Sequence, residues 1–121
     1  MSKFVIREVK TGVKFDLRAG NGETIATSEN YTSEVLCRSG IESVQKNAPK
    51  AHVENQTEEG FQTMPHPKFE MYQDRSGRFR FRLKARNGKI SAVSEGYATK
   101  NGCLNGIECV KKYAPEAQIV K

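Results

Sequence analysis

The chain of 121 residues has no tryptophan, only three cysteines and two histidines, and no apolar run approaching the roughly 20 residues that a membrane-spanning helix needs. Each scarcity removes a class of protein. An odd number of cysteines without a Cys-x-x-Cys pair, and histidines that stand far apart, argue against a disulfide framework or a zinc site and predict reduced thiols. The opening stretch MSKFVIREVK lacks the apolar core of a signal peptide, so the expected location is the cytoplasm, with no membrane association. The ten glycines form neither a GxGxxG fingerprint nor a phosphate loop, which leaves nucleotide binding without support. No metal and no other cofactor is expected.

What is present is a mixed composition, 36% hydrophobic and 28% charged, that suits a soluble folded protein and argues against global disorder. The formal net charge is +6 and is unevenly placed. Before Phe61 there are eight Lys and Arg against nine Asp and Glu; from Phe61 onward there are twelve against five. The basic excess therefore belongs wholly to the second half, and it raises the question of an acidic partner.

The chain is written twice. A shift of 66 positions brings Phe15, Leu17, Ala19, Asn21 and Gly22 onto Phe81, Leu83, Ala85, Asn87 and Gly88. The same shift carries Ala26, Ser28, Tyr31, Cys37, Gly40, Ile41, Val44, Ala48 and Pro49 onto Ala92, Ser94, Tyr97, Cys103, Gly106, Ile107, Val110, Ala114 and Pro115. Phe4 meets Phe69 once an extra residue is allowed in the turn near Gly77. This is a tandem duplication of one structural unit.

Each unit alternates apolar and polar residues in KFVIREV and VKFDLRA, and again in KFEMYQD and RFRFRLKAR, which predicts paired strands. Asn21-Gly22 and Asn87-Gly88 predict two-residue hairpin turns, leading into third strands over 23–29 and 89–95. A helix follows, capped by Thr32 or Ser33 in the first copy and by Thr99 in the second, and stopped by Pro49 or Pro115. Its apolar stripe is Cys37, Gly40, Ile41, Val44 and Ala48, repeated as Cys103, Gly106, Ile107, Val110 and Ala114. Glycine within that stripe costs about 0.8–1 kcal/mol relative to alanine. Close approach to the sheet is the expected compensation, with Ala26 and Ala92 as the expected neighbours. A short last strand, AHVEN or AQIVK, closes each unit. The expected division is one domain over 1–121, with repeat 1 at 3–54, a linker at 55–67 and repeat 2 at 68–120.

With its Asn-Gly turn, SEGY, helix cysteine and NGIE followed by AP, the stretch FRFRLKARNGKISAVSEGYATKNGCLNGIECVKKYAP resembles the YegP-like family, also called UPF0339 or DUF1508. The first copy departs from it with SENY and RSGIE. The resemblance implies an α+β fold: two tandem β3-α-β repeats sharing one mainly antiparallel sheet, with swapped C-terminal strands and two helices on one face. It also implies a monomer that is a pseudo-dimer of repeats, and it carries no activity to transfer.

The sheet face away from the helices is where a partner is expected. On RFRFRLKAR, Phe79, Phe81, Leu83 and Ala85 are expected to point inward and Arg78, Arg80, Arg82, Lys84 and Arg86 outward, with Tyr72 on the neighbouring strand as a stacking surface. These six residues are the candidate site for nucleic acid or another polyanion. The alternative is a solvated strand whose arginines pair with Glu70 and Glu95. Catalysis finds little footing: His52 and His66 have no adjacent nucleophile in the sequence, Cys37 and Cys103 fall on the buried stripe, and only Cys109 lies off it. The expected function is a non-enzymatic binding or accessory module, with a protein partner or, alternatively, weak polyanion binding.

Overall fold

The alternating stretches become strands and the striped stretches become helices, in the same order in both copies. The computed structural model describes residues 2–121. The first unit comprises β1 (Lys3–Val9), β2 (Gly12–Arg18), β3 (Thr24–Thr27), α1 (Glu34–Asn47) and β4 (His52–Asn55). The second comprises β5 (Lys68–Gln73), β6 (Phe79–Lys84), β7 (Ile90–Ser94), α2 (Lys100–Tyr113) and β8 (Gln118–Val120).

All eight strands form one sheet in the order β4-β5-β6-β7-β3-β2-β1-β8. The last strand of each unit leaves its own unit. β4 runs parallel to β5, with Val53 opposite Phe69, and β8 runs parallel to β1, with Ile119 opposite Phe4. The remaining neighbours are antiparallel. A parallel neighbour demands a connection of about a dozen residues or more. Residues 56–67 supply it between β4 and β5. At the centre Thr27 of β3 faces Val93 of β7, and these are equivalent positions, so a pseudo-twofold axis passes between them.

Both helices lie on one face. α1 rests on β1, β2 and β7, whereas α2 rests on β5, β6 and β3, so each helix reaches across the axis. Gln45 Nε2 donates to Ala117 O at 3.4 Å and the equivalent Lys111 Nζ donates to Ala51 O at 3.0 Å, tying each helix to the end of the other unit. Beneath them Phe4, Phe15, Leu17, Ile41, Phe69, Phe81, Leu83 and Ile107 are buried. Burying such a side chain contributes about 1.5–3 kcal/mol, which makes this layer the main source of stability. Phe4 meets Phe15 edge-on at 5.6 Å, and Phe69 meets Phe81 the same way at 5.7 Å.

Ser33 caps α1, accepting from Leu36 N at 3.2 Å, and Thr99 caps α2, accepting from Gly102 N at 3.0 Å. Each helix runs out into a single 3₁₀ turn that contains Pro49 or Pro115. The third strands are shorter than their alternation suggests, because the chain turns away at Ser28 and Ser94. Ser28 Oγ accepts from Phe15 N at 3.0 Å and donates to Glu29 O at 2.8 Å; Ser94 does the same with Phe81 N and Glu95 O, at 2.9 and 2.8 Å. The hydroxyls take over where the ladder ends.

Two expectations are corrected. The Asn-Gly turns are not two-residue loops with two positive φ angles, since no described residue other than glycine has positive φ. Instead Gly22 N donates to Ala19 O and Gly88 N to Ala85 O, both at 2.9 Å, around centres at Gly20-Asn21 and Arg86-Asn87. Gly22 and Gly88, at φ 88° and 82°, then turn the chain back into the strand, making a three-residue loop. Asn21 and Asn87 contribute as acceptors, from Glu23 N at 3.0 Å and Lys89 N at 2.9 Å, and not as left-handed residues.

The helix glycines do mark a close approach, but the neighbour is not Ala26 or Ala92. A Cβ on Gly40 would fall within the phenol of Tyr31, and one on Gly106 within that of Tyr97 and 3.1 Å from the Phe81 ring. Tyr31 stacks on Phe15 and Tyr97 on Phe81, each at 6.3 Å. The notch in the helix admits a tyrosine held at the strand-to-helix corner, where Tyr31 pairs with Val13 and Tyr97 with Phe79 through the backbone.

Candidate functional site on the open face of the sheet

With both helices on one side, alternation along each strand places a row of polar side chains on the other. β6 presents Arg80, Arg82 and Lys84 there, beside Lys68, Glu70 and Tyr72 of β5. β2 presents Lys14, Asp16 and Arg18, beside Lys3, Val5 and Arg7 of β1. Phe81 and Leu83 point inward and are buried, and Ala85 and half-buried Phe79 lie on the same side.

Three of the five stripe cations are engaged with carboxylates. Arg80 Nε donates to Asp74 Oδ2 at 2.7 Å and Arg82 Nε to Glu70 Oε1 at 2.6 Å, while Lys84 Nζ stands 3.7 Å from Glu70. Arg80 Nη1 also reaches Ser94 O at 3.2 Å. The guanidinium of Arg82 lies over the Tyr72 ring, 4.6 Å from its centre. Arg80 holds the Asp74 carboxyl well below the usual carboxylate range, with help from Ser76 and the turn amides. The aliphatic stem of Arg78 crosses Gly96, where a Cβ would come 2.8 Å from Cδ. That close contact explains the glycine of SEGY in this copy. Asn30, its counterpart in the first copy, has no such stem above it and bonds to Thr11.

A denser ionic cluster sits at the β4–β5 edge of the same face. Glu54, Lys68 and Glu70 are 2%, 5% and 5% exposed. Lys68 Nζ contacts Glu54 Oε1 at 2.7 Å and Glu70 Oε2 at 3.3 Å. Glu54 also accepts from Gln56 Nε2 at 2.6 Å and from Met64 N at 2.7 Å, which pins the connection 56–67 to the sheet. Burial alone pushes the Glu54 carboxyl up, yet the bonds from Lys68, Gln56 and Met64 outweigh it and bring the pKa down to about 2. Glu70 is lowered in the same way by Arg82 and Lys68, and Lys68 is raised against its own burial by the two glutamates. The pairing of stripe arginines with Glu70 was legible in the sequence, but among the described residues the expected pairing with Glu95 does not form: Arg80 turns to Asp74 instead. Glu54 and Lys68 were not legible, because alternation along AHVEN and KFEMYQD does not reveal that β4 lies beside β5.

The groups capable of nucleophilic or acid-base chemistry are dispersed. Cys37 and Cys103 are buried, and burial pushes both thiols up, Cys103 to about 11. Cys109 is half-buried against the core. His52 is on β4, and a side chain at Gly88 would meet the His66 imidazole at 3.6 Å, so His66 lies over the β6–β7 turn. Among the described residues no cluster of His, Cys, Asp and Glu is arranged to hold a metal ion, and no helix is long and apolar enough to cross a membrane.

Comparison with known proteins places these features in context. The sequence profile of "Domain of unknown function (DUF1508)" matches residues 10–55 and 74–120. A UPF0339 protein of Treponema denticola is 59% identical over 54 residues, 45% of this chain but 93% of that protein, so it corresponds to a single unit. A UPF0339 protein of Pseudomonas aeruginosa is 36% identical over 117 residues, 96% of this chain and 93% of that protein. The solution NMR structure of the protein of unknown function yegP from E. coli superimposes with a TM-score of 0.80 at 32% identity, over 98% of this chain and 90% of that one.

Proposed function

The chain belongs to the DUF1508 family, whose members are also called UPF0339 or YegP-like proteins, and we propose that it is a non-enzymatic binding or accessory module working through the open face of its sheet. The two repeats, 3–54 and 68–120, act in this reading as one domain and one monomer. The observation that carries it is the contrast between the two faces. One is sealed by helices over an aromatic core, and the other is left uncovered by them along eight strands with polar side chains fixed by ion pairs. Pre-set side chains lose little entropy on association, so such a face suits a protein partner.

The test is capture of partners by the intact protein from its native cytosol, with and without nuclease, beside a Lys14→Glu/Arg78→Glu variant that alters the face without breaking a pair. A proteinaceous partner retained through nuclease and lost with the variant supports this reading. Retention by both proteins contradicts the choice of face.

Binding of nucleic acid or another polyanion through Arg78, Arg80, Arg82, Lys84 and Arg86, with Tyr72 beneath, is the second reading. It draws support from Arg78, which precedes β6 without a carboxylate partner among the described residues, and less from Arg86, which lies in the β6–β7 turn and lines a hollow with Glu42 and Lys46 of α1. It is the lesser reading because the three cations between them already face the carboxylates of Asp74 and Glu70. Titration with single-stranded oligonucleotides at two salt concentrations decides it: phosphate contacts give a steep loss of affinity with salt, and a flat response ends it.

A further inference from the structure

Glu54 and Val120 hold the same position in the two exchanged strands, yet they present opposite chemistry to the strands that receive them. Glu54 lies opposite Glu70 on β5, and the Lys68 ammonium bridges the two carboxylates, with Arg82 behind. Val120 lies opposite Val5 on β1, where the counterparts of Lys68 and Glu70 are Lys3 and Val5. In the first unit the open-face carboxylate has moved to β2, where Asp16 takes Arg7 at 3.0 Å and Arg18 at 3.2 Å. One seam is ionic and buried; the other is aliphatic.

Consider the alternatives open to a fold that trades strands. If two first units met, each β4 would set Glu54 against Val5, a carboxylate facing a valine without the Lys68 ammonium. If two second units met, each β8 would bring Val120 to Lys68, leaving a buried ammonium with one carboxylate instead of two. A buried charge deprived of its partner is strongly unfavourable, whereas the matched seams leave none. We propose that the two seams are a recognition code for unlike units: a first unit receives the last strand only of a second unit, and the reverse. The partner that fits each seam is therefore the opposite unit, in the same chain or in a second copy of it, and like units are refused.

The code is tested in the full-length chain by transposing it. In Glu54→Val with Val120→Glu both internal seams are mismatched. Two such chains side by side, first unit with first and second with second, recover valine against valine and glutamate against Lys68. Measured by light scattering across a concentration series after refolding, the dimer fraction should exceed that of the wild type by roughly tenfold or more. The monomer that remains should melt lower by on the order of 10 °C. Val120→Glu alone sits at a half-exposed position and keeps the chain folded; it creates the like-with-like match between second units only, and should give a smaller rise in dimer. Dimer fractions equal to wild type in both variants, whatever their melting temperatures, overturn the proposal.

Discussion

The two ends of the sheet hold their open-face charges in different ways. At the first unit's end Asp16 is buried, but its partners Arg7 and Arg18 keep 42% and 36% of their side-chain surface exposed, and Thr27 adds a hydroxyl at 3.0 Å. At the second unit's end Glu54 and Lys68 are only 2% and 6% exposed at the side chain, and the connection between units is bonded to the same carboxylate. The backbone plan is common to both; the electrostatic environment is not. The two halves share the aromatic core beneath the helices and differ on the face the helices leave uncovered, where one carboxylate cluster is buried on all sides and the other is paired with half-exposed arginines.

The comparison can be broken first where the halves agree most. Gly40→Leu and Gly106→Leu should each abolish folding, because the new side chain occupies the Tyr31 or Tyr97 ring. Gly40→Ala and Gly106→Ala should each destabilise by about 3 kcal/mol in urea unfolding, since the Tyr31 or Tyr97 ring must move. Unchanged unfolding midpoints in both alanine variants would remove the packing account of these glycines.

Next come the charges, where the halves differ. Glu54→Gln leaves Lys68 buried with Glu70 alone and should cost about 3 kcal/mol. Asp16→Asn faces half-exposed arginines and should cost about 1 kcal/mol. Equal losses in urea unfolding would erase the distinction between the two ends. Glu54→Gln has a pH signature as well. The Glu54 carboxyl is depressed in the folded chain from 4.5 to about 2, so its stabilisation is complete above the ordinary value and is lost as pH falls through about 2. The melting-temperature gap between wild type and Glu54→Gln should therefore be constant near neutrality and close steadily below pH 4.5; a gap that widens in acid contradicts the assignment.

The smallest effect returns to symmetry. Ser28→Ala and Ser94→Ala each strand the amide of a buried phenylalanine, and should lower stability by about 1–2 kcal/mol, equally within error. A loss in one half only would show that the strand ends are not equivalent.

How far the sequence reached depends on the range of the forces involved. The helices, strand pairs and repeat came from periodicity and from the 66-residue self-match, which report local geometry and burial. Strand exchange came with the family resemblance, since alternation in AHVEN and AQIVK does not say which neighbour each strand takes. The Gly40–Tyr31 contact was anticipated as a close approach but assigned to the wrong surface. The stripe placed Gly40 toward the sheet, yet nothing local shows that Tyr31 folds back from the corner to fill the space. Arg80, Arg82 and Lys84 lie on the open side of β6 as expected, whereas Arg78 and Arg86 fall outside the strand, which is shorter than the stretch RFRFRLKAR. How Asp74, Glu70 and Tyr72 engage these cations depends on turn geometry and strand register, which composition does not contain.

Native-state hydrogen exchange read residue by residue tests the central claim, that the halves complete one sheet by trading strands, most directly. If β4 belongs to β5 and β8 to β1, the core amides of β1, β2, β5 and β6 should open together, with one global free energy for both halves. Two plateaus, one for residues before the connection and another for those after it, would contradict the account.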